Sequence, residues 1–140
     1  METAPVWQLD WDESLSMHIP EIDTEHQRFI LLVNALNEAI VARMSMEEVK
    51  KRMRALQDDA VTHFAHEEKL FREWGYPQAE EHARCHAEII QALHHIMNIF
   101  SDSPMSYECI EAGLKVKEAL ITHLLTEDMK YRDFYLASLK

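Results

Sequence analysis

The stretch SMEEVKKRMRALQDDAVTHFAHEEKLFREWGYP, residues 45–77, decides the fold. Ser45 with Glu48 three residues on is a capping-box signature: the serine accepts from a free backbone N–H at a helix start and the glutamate reaches back. Val49, Met53, Leu56, Ala60 and Phe64 then recur at three- and four-residue spacing, which lines one face of a helix. Gly75 and Pro77 stop the pattern, since glycine accepts a left-handed turn and proline cannot extend the ladder. A helix over about residues 46–74 follows.

The same reasoning extends outward in both directions. Thr24 with Gln27 repeats the capping signature, and Phe29, Ile30, Val33, Leu36 and Ile40 predict a helix over about 24–43 behind an irregular arm. A third helix, about 78–100, begins after Pro77 and ends at the breakers Ser101, Asp102, Ser103 and Pro104. A fourth runs from about 105 toward Asp128. Helices of about twenty residues are about 30 Å long. Joined by short turns, they predict an all-α, up-down-up-down antiparallel four-helix bundle. With no repeat or linker, residues 1–140 read as one domain, an arm over 1–22 and a bundle from about 23 to 140.

Composition agrees and narrows the function. The 140 residues include two glycines and four prolines, so helix formers dominate. A formal net charge of −11 argues against nucleic acid or an anionic membrane as partner, because both need clustered Lys and Arg. No stretch approaches a membrane span, and the acidic N-terminus is not a secretory signal. Cys85 and Cys109 lack the CxxC spacing and predict reduced thiols in a cytoplasm. Nine histidines are the compositional oddity.

Those histidines fall into a pattern. His63 and Glu67 are four residues apart and share a helix face, as do His82 and His86. His26 lies near the start of the first helix and His123 well along the fourth, so each helix carries an imidazole. All four helices are then able to aim ligands into one interior, as di-metal bundle sites require. Taken singly, each pair is also what an ordinary core or surface histidine presents.

Four segments carry a resemblance: Ile19-Pro20-Glu21-Ile22-Asp23-Thr24-Glu25-His26, then His63-Phe64-Ala65-His66-Glu67-Glu68, then His82-Ala83-Arg84-Cys85-His86, then His123-Leu124-Leu125-Thr126-Glu127-Asp128. In order and spacing they resemble the hemerythrin family, especially its single-domain bacterial members, from Trp11 to about Tyr131. The resemblance implies a non-haem di-iron centre. His82, His86 and His123 would bind one iron, His26 and His63 the other, and Glu67 and Asp128 would bridge them beside an oxo or hydroxo bridge. One iron would keep an open position for dioxygen. The implied function is reversible dioxygen binding, without catalysis, for storage, transport or delivery to an oxygen-consuming enzyme.

Alternative functions would use the same site: an oxygen or redox sensor, an iron-handling protein, or a di-iron oxidase. Ferritin-like oxidases use Glu-x-x-His motifs, and this sequence contains none. Zinc, manganese or cobalt would fit the same ligands. Asp128 lies five residues after His123, too far round an unbroken α-helix, so a helix end or local bulge is expected between them. Leu120 and Ala119 lie over the turn before His123 and are expected to line the oxygen pocket.

The other histidines fall outside this set. His18, His94 and His95 are assigned surface or interface roles, and His66, adjacent to Glu67, cannot share its ligand face whereas His63 can. Asp59 is expected to face solvent rather than accept from a ligand imidazole. Cys85 is turned off the ligand face and gets no role. Trp7, Trp11 and Trp74 are expected to anchor packing, with a tryptophan near the oxygen pocket a further possibility that the resemblance raises.

Overall fold

The computed structural model describes residues 8–102 and 107–139. A single 3-10 turn, Glu13–Leu15, interrupts the arm, and five α-helical segments follow: α1 Pro20–Val41, α2 Met46–Trp74, α3 Ala79–Asp102, α4 Tyr107–His123 and α5 Met129–Ser138. A π-helical segment, Leu124–Asp128, joins α4 to α5, so these three form the fourth rod of the bundle. Helix α1 packs on α2 and α4, and α3 packs on the same two. This is the up-down-up-down arrangement, all-α with no strand among the described residues.

Helix α2 has the bounds that its sequence predicts. Ser45 accepts from the Glu48 N–H at 3.2 Å, and Gly75 sits at φ 64° with Tyr76 N–H bonded back to Phe71 O. The α1 end uses the same device without a glycine: Arg43 takes φ 55° while Met44 N–H reaches Ala39 O at 2.9 Å.

The start of α1 corrects the expectation. It lies at Pro20, a turn earlier than Thr24, and the arm is correspondingly shorter than residues 1–22. Pro20 has its φ already set for a first helical turn and no N–H to leave unpaired. Thr24 is inside the helix and donates to Pro20 O at 3.0 Å. Asp23 is spent on the arm, where its carboxylate accepts from Ser16 Oγ at 2.6 Å and from Met17 N–H at 2.7 Å.

The apolar residues that set the helical rhythm are buried, and they form two clusters. One, around Val33, Leu36, Met53, Leu56, Leu93, Phe100 and Val116, fills one part of the bundle. The other gathers Met17, Ile22, Phe71, Tyr76, Leu124 and Tyr131. Trp11 and Trp74 pack against this second cluster; Trp7 lies outside the described residues, as do Ser103 and Pro104 of the breaker cluster. Gly113 of α4 lies so close to α1 that a methyl group there would collide with Asn37 and Ile40. No described helix is long and apolar enough to cross a membrane.

Candidate metal centre

Four rods deliver seven side chains to one buried place: His26 from α1, His63 and Glu67 from α2, His82 and His86 from α3, His123 from the end of α4 and Asp128 from the π segment. On α2 and α3 the four-residue spacing does this directly. On the fourth rod the spacing is five, and the π segment supplies the expected bulge. A wider turn with i→i+5 bonding returns Asp128 to the face of His123, and its Oδ1 stands 3.1 Å from His123 Nε2.

Each carboxylate divides its oxygens between two groups of imidazoles. Glu67 Oε2 lies 3.6 Å from His26 Nε2 and 3.4 Å from His63 Nε2. Its Oε1 lies 3.1 Å from His86 Nε2 and 4.0 Å from His82 Nε2. Asp128 Oδ1 stands 3.0 Å from His82 Nε2, while Oδ2 turns to His26 Nε2 at 3.4 Å. Two ligand clusters result, Glu67 with His82, His86, His123 and Asp128, and Glu67 with His26 and His63.

The donor set fits cations. Nε2 of His26, His82, His86 and His123, Glu67 Oε1 and Asp128 Oδ1 are all buried without a hydrogen-bond partner. Leaving so many converging polar atoms unpaired is costly. Ligand atoms about 2.1 Å from one ion stand about 3.0 to 3.4 Å apart, and most of the separations found here lie in that range. Imidazole with carboxylate suits first-row divalent ions, iron among them.

Without a cation, protons hold the charges together. Burial would lower the His63 imidazole, but the Glu67 charge, the Glu25 hydrogen bond and Asp128 outweigh it and push it up to about 10. His123 is raised against burial by Asp128. Burial would raise Glu67, yet His63 and the neighbouring imidazoles hold it well below the usual carboxylate range, and His123 and His82 hold Asp128 down in the same way.

A ring of partners orients these residues, and sequence reasoning missed it. Glu25 accepts from His63 Nδ1 at 2.5 Å with one oxygen and from His66 Nδ1 at 2.6 Å with the other. Glu68 Oε2 meets His86 Nδ1 at 3.0 Å. With Nδ1–H committed outward, the neutral ring turns its Nε2 lone pair inward. Tyr131 donates to Glu67 Oε2 at 2.5 Å, and burial with the Glu67 and Asp128 charges keeps its hydroxyl protonated. The only available signals were adjacency, Glu25 to His26 and Glu68 to Glu67, and the helical spacing of Tyr131 from Asp128.

Aromatic rings enclose the cluster. Phe64 stacks on His86 with centroids 3.9 Å apart, Phe29 meets His63 edge-on, and Phe71 and Tyr131 cover His82. Beside His26, His63 and His123 lies a cavity of about 30 Å³, walled by Phe29, Val33, Phe64, Leu120 and Leu9. Leu120 is thus among the residues that line it. Ala119 does not line the cavity, and neither Trp11 nor Trp74 reaches it.

His18, His94 and His95 are exposed and apart from the cluster. His66 meets the cluster only through Glu25. Asp59 departs from the expectation: instead of facing solvent it accepts from Arg28 Nε at 2.7 Å and is largely shielded. Cys85 is half-buried, its thiol pushed up by burial and by Glu127.

Comparison with known proteins points the same way. The family model of the hemerythrin HHE cation binding domain matches residues 17–134. A bacteriohemerythrin of Stenotrophomonas maltophilia is 30% identical over 127 residues, covering 89% of this chain and 80% of its own. A hemerythrin-like protein of Naegleria gruberi is 26% identical over 94% of this chain and 98% of its own. A myohemerythrin of Theromyzon tessulatum is 25% identical over 87% and 89%.

Proposed function

The chain belongs to the hemerythrin family, and on that premise we propose that it binds dioxygen reversibly at two non-haem irons, for storage or for delivery to an oxygen-consuming enzyme. We assign His82, His86 and His123 to one iron, His26 and His63 to the other, and Glu67 and Asp128 to both. The observation that carries this assignment is the division of each carboxylate's oxygens between the two histidine groups. Arm and bundle act as one domain, and Cys85 and Cys109, neither of them in a disulfide, are in keeping with a cytoplasmic setting.

Held by these seven residues, two ferrous ions would supply the electrons that dioxygen uptake requires. The rest is the work of side chains. Glu25 and Glu68 fix the inward nitrogen of His63 and His86, and Tyr131 holds Glu67 at a set rotation. The cavity favours binding over catalysis. At about 30 Å³ it has room for a diatomic molecule, a single water needing about 10 to 15 Å³. Its apolar wall, Leu120 included, keeps bulk water and protons away from the ligand.

The deciding experiment is optical. Iron-loaded, reduced protein is exposed to air and then degassed. A ligand-to-iron charge-transfer band that appears and then disappears supports reversible binding. Immediate and permanent conversion to the ferric spectrum would overturn it in favour of a sensor or an oxidase.

A further inference from the structure

We propose that Leu9 of the N-terminal arm is the movable wall of this cavity and that Asn34 latches it shut, so that the arm sets how fast dioxygen enters and leaves. The proposal rests on the dioxygen-binding reading above. Every other lining residue belongs to α1, α2, α4 or the π segment, whereas Leu9 lies outside any helix. Moving a helical wall means repacking a buried helix face, which the dense core resists. Moving Leu9 does not. It is half-buried, and among the described residues it is the one that packs against both apolar clusters, so it closes the seam between them.

The attachment is specific and light. Leu9 N–H donates to Asn34 Oδ1 at 2.8 Å, and Leu9 O accepts from Asn34 Nδ2 at 2.7 Å. One side-chain amide thus satisfies both polar groups of one backbone unit, as a neighbouring strand would. Further along, the arm is tied down by buried Leu15 and Met17 and by the Asp23 carboxylate. Trp11 packs against the second cluster and fixes the root, so the flap is the short length of chain at Leu9 and Asp10, which Asn34 grips by the Leu9 N–H and C=O. Two neutral, partly exposed hydrogen bonds are readily broken, and loop motions of this kind run from nanoseconds to microseconds.

A gate has a kinetic signature that packing lacks. Weakening the closed flap destabilises the ligated and unligated states equally, so association and dissociation rates rise by the same factor while the equilibrium constant stays put. Asn34→Ala releases the latch; Leu9→Ala keeps the latch and thins the wall. Dioxygen association would be followed by stopped flow and dissociation by trapping the released gas with dithionite. Both rates should rise about tenfold in Asn34→Ala, the factor that one to two net hydrogen bonds correspond to. In Leu9→Ala they should again rise together. In metal-free protein, Leu9 amide exchange should be slow in wild type and accelerated in Asn34→Ala.

Iron-loaded variants with wild-type rates, or a wild-type Leu9 amide exchanging as fast as in a free peptide, would overturn the gate alone. A wild-type protein that binds iron but no dioxygen, or no iron at all, would overturn the functional reading and the gate with it.

Discussion

Replacing Glu67 by Gln keeps the shape of the side chain and removes its charge, which makes it the sharpest probe of the centre. Glu67 is fully buried, with Oε2 3.4 Å from His63 Nε2. A unit charge at that distance, in an effective dielectric of about 20, is worth about 5 kcal/mol, or between about three and four pKa units. The His63 imidazole stands at about 10 against an ordinary 6.5, so the Glu67 charge is comparable to the net rise, and the Glu25 hydrogen bond and Asp128 help it to offset burial. In metal-free Glu67→Gln, His63 should fall back to about its ordinary value or below it, because burial then opposes the proton with only Glu25 and the more distant Asp128 in support. Nitrogen-15 NMR titration of the imidazoles would read this directly. In the same variant, iron content by elemental analysis should drop at both positions, since Glu67 belongs to both clusters. His63 remaining near 10 would show that Glu25 holds the proton; normal iron content would refute the bridging assignment outright.

Leu120→Ala should lower stability by about 2 kcal/mol, the low end for a leucine because the residue is half-buried. It should also shorten the lifetime of the oxygenated spectrum with iron content intact; an unchanged lifetime would leave Leu120 as packing. Metal-free protein should be most stable between pH 4.5 and 6.5. The raised His63 contributes fully below 6.5 and loses its contribution as the pH climbs through about 10, while the lowered Glu67 contributes above 4.5 and loses it as the pH falls through its folded value. A melting temperature that rose from pH 6.5 to 9 would contradict this. His18→Ala should retain full iron, and loss of metal would mean that the ligand set is misread. Gly113→Ala should cost about 1 to 3 kcal/mol in urea denaturation, because Asn37 and Ile40 would have to move aside.

What the sequence made legible is what repeats along a helix. Helix α2 could be read from end to end because Ser45 and Gly75 each have one dominant local use. The seven converging residues stood out because their spacings match helical turns, and the one misfit, five residues from His123 to Asp128, announced a helix end or a bulge, which the π segment proves to be. The start of α1 was misread because Thr24 with Gln27 imitates a cap, while the true determinant, Pro20 with Asp23 engaged by the arm, depends on Ser16 and Met17 folding back. Glu25, Glu68 and Tyr131 escaped notice for a different reason. Their partners are far away in sequence, and a glutamate among 25 acidic residues looks like surface until its imidazole is seen. Asp59 was misassigned in the same way, its partner Arg28 lying on another helix.

The π segment makes the fourth rod unequally tolerant of changes in its length. An α-helix advances about 100° per residue, so five residues of ordinary winding would carry Asp128 about 140° away from His123. The wide turn absorbs that surplus residue, and Tyr131, one helical turn further on, reaches Glu67 in consequence. Losing one residue between His123 and Asp128 would leave a spacing of four, which plain α-helical winding already keeps on one face. Gaining one would leave a surplus of two, and Asp128 and Tyr131 would swing off the centre together. The rod therefore has slack in one direction and none in the other.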